Sequence, residues 1–286
     1  MDLDTVIRNA SFSLLLLFIA SGTSMAQEGF KVLSYNTLRG FQQDSLYKAS
    51  YQRWVEDLGP DVIGYQEMND FTQKGLESFA SGYGHPYAVM SKIQGYPVAL
   101  SSKYPILNVQ KVVDNMWHAY LYAQIKDYHV FVVHFSPFLY QKRQYEIRQI
   151  LAHAALLPQD EKIVIMGGFN SLSSADSAYH TQEMVDGMRQ DEDKNENIRN
   201  LNQGQLDYPV VGIVQEAGYL DAFLLTNDKL VSSYPTKSHG GTSTERIDYI
   251  WVNPFLGDKL VSATIIQDEI TDEISDHYPV FVQFEK

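Results

Sequence analysis

The chain has 286 residues, 44% of them hydrophobic and 13% aromatic, which is ample for a large core in one large domain or two small ones. It has no cysteine, which excludes disulfides, thiolate metal sites and thiol nucleophiles. Its net charge of −13 weakens a nucleic-acid or anionic-membrane reading without excluding it, since a strongly acidic surface repels polyanions at long range.

In chain order, the first segment has the pattern of a targeting signal. Phe12–Ala20 is a short apolar core, and Ser24-Met25-Ala26 offers small residues for cleavage before Gln27. The apolar run is too short to span a bilayer comfortably, and no cysteine follows it to carry a bacterial lipid anchor. Asp2 and Asp4 ahead of it outweigh Arg8, which is atypical of a signal peptide. The expectation is a signal peptide over residues 1–26, secretion or export to the periplasm, and a single monomeric domain over 27–286 with no transmembrane segment.

Beyond it, short β-rich runs alternate with helical patterns. Phe30–Tyr35 reads as a strand; Tyr51, Trp54, Val55 and Leu58 follow helical spacing up to the Gly59-Pro60 stop. Val62–Gln66, Tyr87–Met90, Val98–Leu100, Tyr120–Ile125 and Val130–His134 are strand candidates, the last two joined by the tight turn Lys126-Asp127. Tyr140–Leu157 is an amphipathic helix with Ile147, Ile150, Leu151, Ala154 and Leu157 on one face. Ile163–Gly167 is a buried strand running into glycines. Residues 182–207 are polar and acidic and read as an exposed excursion, most simply a solvated loop and alternatively a flap. Val211–Gly218 reads as a short helix, and Ile247–Val252, Leu260–Ile266 and Val280–Phe284 close the chain as strands. Hairpins mixed with strand–helix alternation argue for an α/β or α+β sandwich of mixed sheets.

Five segments put polar residues at strand ends. Asn36 ends the first strand, as a turn residue or a neutral oxygen ligand. Glu67 follows a buried strand, where a carboxylate is costly unless paired, solvated or bound to a hard cation such as Mg²⁺. His134 ends Val130–Val133, as a structural histidine or a phosphate donor. Asn170 follows Gly167-Gly168-Phe169, as part of a turn or as an amide donor to a ligand. Asp248 needs a partner, and His277 of Ser275-Asp276-His277-Tyr278-Pro279 is the candidate, since a carboxylate on one imidazole nitrogen fixes the tautomer. Together these residues are a toolkit for metal-assisted phosphoester hydrolysis. Trp117, His118, Phe138 and Tyr140 lie near the same loops, as a substrate wall or as packing aromatics.

The order of Tyr35-Asn36, Gln66-Glu67, His134, Gly167-x-Phe169-Asn170, Arg246-Ile247-Asp248-Tyr249-Ile250 and Ser275–Pro279, with Val98–Ile106, resembles the endonuclease/exonuclease/phosphatase superfamily, to which deoxyribonuclease I, AP endonucleases and sphingomyelinases belong. The resemblance implies a four-layer sandwich of two mixed β-sheets with helices outside. It implies one Mg²⁺ or Mn²⁺ held mainly by Glu67, with Asn36 and Asp276 beside it. His277, paired with Asp248, would be general base or phosphate-polarising group, and His134 and Asn170 would bind the scissile phosphate. One departure stands out: where the family has Gly-Asp-x-Asn, this chain has Gly167-Gly168-Phe169-Asn170. Gly168 therefore removes a catalytic carboxylate, unless another, such as Asp176, replaces it. The expected function is an exported phosphoesterase acting on a small-molecule or lipid phosphate, with a catalytically impaired phosphate- or metal-binding protein and a nuclease as alternatives.

Overall fold

The computed structural model describes residues 29–240 and 245–285. The expected signal peptide over residues 1–26 lies outside the described residues. In chain order the strands are β1 Phe30–Asn36, β2 Val62–Gln66, β3 Tyr87–Met90, β4 Ala99–Ser102, β5 Ile106–Val112, β6 Ala119–Ile125 and β7 Tyr128–His134. They continue as β8 Lys162–Gly168, β9 Leu201–Asn202, β10 Gln205–Leu206, β11 Leu220–Asp221, β12 Asp248–Val252, β13 Leu260–Ile265 and β14 Val280–Phe284.

Two mixed six-stranded sheets result, in the orders β13-β14-β1-β2-β4-β3 and β11-β12-β8-β7-β6-β5, with β9 and β10 as a separate hairpin. Each sheet has one parallel pair at its centre, β1 with β2 and β7 with β8, and the other neighbours are antiparallel.

The period-2 pattern assigns the faces. Val32, Val62, Val130, Val132, Val164, Met166, Ile250, Val252, Val280 and Val282 fill the space between the sheets. Leu33, Tyr35, Ile63 and Tyr65 face the other way, toward the helices Ser45–Leu58 and Gln73–Ser81. Phe131, Val133, Ile163, Ile165, Tyr249 and Trp251 pack on the outer side of the second sheet with Ile147 and Ile150 of the helix Tyr140–Ala154 and with Val210, Val211 and Val214 of the helix Pro209–Glu216. These are the four layers expected. The sheets pack tightly at Gly64, where an added Cβ would stand 2.6 Å from Met166 Cε.

Four segments depart from the sequence reading. Residues 182–207 are not a structureless excursion: Thr181 caps a helix over Gln182–Lys194, followed by the β9–β10 hairpin. Only Val185 of that helix is buried, and its composition is strongly polar. Strand β5 had no signal because almost every residue in it is exposed, so its sequence does not alternate. The helices Gln73–Ser81 and Glu269–Ile274 are short and bury two residues each. Among the described residues no helix is long and apolar enough to cross a membrane.

Candidate active site

The inter-sheet stripes of valines end in polar residues at one end of the sandwich. Continuing the same faces, β1 ends at Asn36, β2 at Gln66, β7 at His134 and β8 at Gly168, while antiparallel β12 begins at Asp248. Register makes the convergence explicit: Asn36 pairs with Gln66, His134 with Gly168, and Gly168 with Asp248.

Glu67 follows β2 in a left-handed conformation (φ 59°) and is held from the β1 side. Its Oε2 accepts from the Arg39 backbone N–H (3.1 Å) and its Oε1 from Asn36 Nδ2 (3.4 Å). The donor is brought there by an unusual turn: Leu38, Arg39, Phe41, Gln42 and Gln43 all take φ between 42° and 60°, with Gly40 at 66°. Left-handed backbone costs an L-residue roughly 1–2 kcal/mol, so the run is strained. Gly40 is required at its centre, because a Cβ there would meet Asn69 O at 2.5 Å. Burial raises the Glu67 pKa, partly offset by His277 and by the Arg39 N–H.

On the opposite side His277 Nδ1 donates to Asp248 Oδ2 (2.7 Å), which also accepts from Ser233 Oγ (2.8 Å). Ser233 Oγ in turn accepts from the backbone N–H groups of Ile247 and Asp248 (3.0 and 3.1 Å). Burial disfavours the imidazolium, but Asp248, then Asp276 and Glu67, more than offset it and push the His277 pKa up to about 9. Ser275 Oγ donates to Asn36 O (2.7 Å) and accepts from His277 N–H (3.2 Å), which ties the Ser275–His277 turn to the end of β1.

His134 is different in kind. Burial, then the charges of His118, His277 and Lys92, hold its pKa well below the ordinary value. It is therefore a neutral ring, and its 4.0 Å approach to Glu67 Oε1 is not an ion pair. Its ring stacks on His118 (centroids 4.3 Å), and its Nδ1 has no partner among the described residues. Asp248 Oδ1 is likewise buried and unpartnered. Between them lies Gly168, where an added Cβ would stand 3.1 Å from His134 Cδ2 and 3.5 Å from Asp248 Oδ1. The backbone at 168 is outside the left-handed region, so it accepts a side chain, and the space is bounded by side chains rather than backbone.

The loop after His134 is clamped from several directions. Asn170, itself left-handed (φ 48°), donates from Nδ2 to Phe135 O (2.8 Å). Two charged residues one helical turn apart on the buried face of Tyr140–Ala154 hold both ends of Ser136: its N–H donates to Glu146 Oε2 (3.0 Å), and its carbonyl accepts from Arg143 Nη1 (3.1 Å). Glu146 Oε1 also accepts from the Trp117 N–H (2.5 Å). Burial pushes the Glu146 pKa up to about 7 against these donors.

These groups surround a cleft of about 430 Å³ lined by Glu67, His134, Asn170, Asp276 and His277 together with Arg143, Asp191, Asp207, Tyr234 and Glu245. A second lobe of about 480 Å³ shares Glu67 and Asp276 and runs past Lys92, Tyr96, Trp117, His118 and Phe138. The sequence-selected residues thus converge, and Trp117, His118 and Phe138 do form a wall, without Tyr140. Asp176 does not replace the missing carboxylate, because it is committed to Arg246, whose Nε donates to it (3.0 Å). Sequence reasoning missed Arg39, Lys92, Arg143 and Glu146. The last two carried a signal: Arg143 and Glu146 extend the apolar face of Ile147, Ile150 and Ala154, and charge on a buried helical face calls for a partner.

For a divalent ion the donors are few. Among the described residues no three His, Asp or Glu side chains form a ready-made cage. Glu67 and Asp276 on one cleft wall nonetheless fit the sparse ligation of Mg²⁺, which takes one or two carboxylates and completes its shell with water and phosphate oxygens. The burial that raises the Glu67 pKa is the mark of a carboxylate lacking a full counter-charge from the protein.

The sequence profile described as the Endonuclease/Exonuclease/phosphatase family matches residues 33–277. The chain belongs to this family. Family members are phosphoesterases and nucleases, hydrolases of phosphoester bonds that generally use a divalent metal. Among solved structures, an AP endonuclease from Archaeoglobus fulgidus superposes with a TM-score of 0.70 at 17% identity, over 90% of this chain and 100% of that one. A 3′ phosphatase from Neisseria, bound to a product DNA hairpin, gives 0.64 at 19% identity over 90% and 100%. An endonuclease/exonuclease/phosphatase from Beutenbergia cavernae gives 0.64 at 14% identity over 91% and 72%. At these identities the likeness carries the fold. Comparison with curated proteins by sequence returns no match.

Proposed function

We propose that this chain is an exported, Mg²⁺- or Mn²⁺-dependent phosphoester hydrolase acting on a small-molecule or lipid phosphate, with a rate lowered by Gly168. The observation that carries the reading is the meeting of Glu67, Asp276, Asn170, His134 and the His277–Asp248 pair at one cleft. Glu67 and Asp276, with Asn36 behind them, would hold the ion, which supplies a Lewis-acid charge at the phosphoryl oxygens. His277, with its Nδ1 held by Asp248, polarises a phosphoryl oxygen. Neutral His134 and the Asn170 amide, both fixed by the clamped loop, orient the phosphate. Water attacks phosphorus, the ester P–O bond breaks, and the leaving oxygen takes a proton from solvent and departs as the alcohol. With hydrogen where a carboxylate would stand, the water's proton passes to a phosphate oxygen or to solvent.

The small-substrate reading is supported by Asp191, Asp207 and Glu245 on the cleft wall, which repel a polyanion, and by the helix Gln182–Lys194, whose Met188 and Asp191 stand over the opening. Gly168 favours a second reading, a phosphate- or metal-binding protein without turnover. A nuclease reading draws on the Neisseria structure with its DNA hairpin. The deciding experiment measures hydrolysis of bis-p-nitrophenyl phosphate with Mg²⁺ or Mn²⁺, with and without EDTA, beside Gly168→Asp. The parent should hydrolyse slowly, EDTA should abolish this, and Gly168→Asp should raise kcat by about 10²–10⁴-fold, the worth of a positioned base. No hydrolysis by the parent with rescue by Gly168→Asp assigns the chain to the non-catalytic reading. A substrate panel of supercoiled DNA, sphingomyelin and phosphoinositides then orders the substrate classes.

A further inference from the structure

The second lobe has a composition at odds with the rest of the molecule. In a chain of net charge −13, this groove sets two cations, Lys92 and Arg39, beside the two carboxylates Glu67 and Asp276 that it shares with the first cleft, and neither cation is in an ion pair among the described residues. Lys92 is partly desolvated, which lowers its pKa, and its charge is felt at both His118 and His134. A half-buried, unpaired ammonium is costly unless an anion arrives to meet it.

The same groove carries a surface of rings. Trp117 and Phe138 are each 40% exposed and pack edge to face (centroids 5.6 Å, 71°), which makes a stiff wall rather than two loose side chains. Tyr96 meets His118 (5.2 Å), and His118 stacks on His134 (4.3 Å), so rings run without a break from the lobe to the phosphate-orienting histidine. The wall is also fixed in place, since Glu146 accepts from the Trp117 N–H and Ser136 N–H at once. At the other rim, the left-handed turn sets Arg39 beside Glu67. At about 480 Å³ the lobe is of the size that takes small organic ligands.

We infer that this lobe binds the part of the substrate beyond the scissile phosphate, and that this part is a planar ring carrying a second anionic group, as in a nucleoside or aryl ester with a further phosphate. The inference rests on the phosphoesterase reading for where the scissile phosphate lies. The ring stacks on Trp117 and Phe138, and the second anion is met by Lys92 and Arg39. A ring without the extra charge leaves the cations unpaired, and a charged aliphatic chain leaves the aromatic wall wet.

The test is calorimetric binding to the full chain with Mg²⁺, using three probes: adenosine 3′,5′-bisphosphate, adenosine 5′-monophosphate and fructose 1,6-bisphosphate. The nucleoside bisphosphate should bind about tenfold more tightly than either other probe. Lys92→Met, which keeps the aliphatic stem, should weaken both bisphosphates, the nucleoside bisphosphate by about tenfold, and leave adenosine 5′-monophosphate unchanged. Trp117→Ala should weaken both adenosine probes and leave the sugar bisphosphate unchanged. Should Trp117→Ala lose its fold by circular dichroism, Phe138→Ala reads the same wall from its other ring. Equal affinity for the three probes, no effect of Lys92→Met, or tighter binding of a single-stranded oligonucleotide than of the bisphosphate overturns the inference. Preferential binding with no hydrolysis keeps it and removes the phosphoesterase reading, whereas hydrolysis without the preference does the reverse.

Discussion

Arg246 and Asp248 stand two residues apart and both are buried, but their surroundings differ. Arg246 lies 2.5 Å from Asp221 through Nη1 and 2.9 Å from Asp176 through Nη2, with the Tyr249 ring under its guanidinium. Asp221 spends its remaining capacity on the N–H of Phe223 (3.0 Å). Every charge in that cluster is met by an opposite charge, although Arg246 Nη2, 2.9 Å from Asp176, makes no hydrogen bond. Two residues on, Asp248 uses one oxygen for His277 and Ser233 and leaves the other without a partner, on the Gly168 side of the cleft. A closed cluster holds the fold; an open one at the mouth of a cleft stores unmet polar capacity where a ligand can use it.

That contrast can be broken by substitution. Arg246→Met should leave two carboxylates buried without a cation and cost roughly 3–5 kcal/mol of stability, read as a lower urea midpoint, while the folded fraction keeps its kcat. Asp248→Asn should do the opposite: about 10²-fold or more off kcat, with a smaller change in midpoint than Arg246→Met produces. Equal losses of stability in the two variants would erase the distinction between the clusters.

A finer test is pH. The folded pKa of His277 is raised to about 9, above the value of an unfolded histidine. The folded state therefore binds more protons between these values, so stability is fully present below about pH 6.5 and is lost as pH rises through about 9. In Asp248→Asn that decline should flatten, as measured by urea midpoints across the range. A pH effect of similar size belongs to Glu146, a carboxyl whose pKa burial raises to about 7. Its sign is also negative with rising pH but over a lower window, from an unfolded value near 4.3 to about 7. Glu146→Gln should remove that slope and, because its amide accepts only one of the two N–H groups, shift the emission of Trp117.

Much of the site was readable in the chain because strands impose a period of two. Val130, Val132 and His134, or Val164, Met166 and Gly168, are single stripes whose last member changes character, and that change marks the end of the sandwich. What did not read from the sequence lacked a local signature. β5 is exposed over most of its length, so its residues do not alternate, and the helix over Gln182–Lys194 is so polar that it buries one residue. Lys92 and Arg39 are ordinary loop cations until the fold sets them on the same groove. The turn over Leu38–Gln43 was invisible for another reason: its handedness is set by its contacts with Glu67 and Asn69 rather than by glycines, of which it has one.

That turn has a consequence for redesign. Because Leu38 and Gln42 hold φ of 42° and 52°, glycine at either position relieves backbone strain, and a higher melting temperature is available there by single substitutions. The same substitutions loosen the segment that delivers the Arg39 N–H to Glu67. Thermostability and grip on the Glu67 carboxylate are thus set against each other within six residues, and engineering for shelf life at this turn would be engineering against the site.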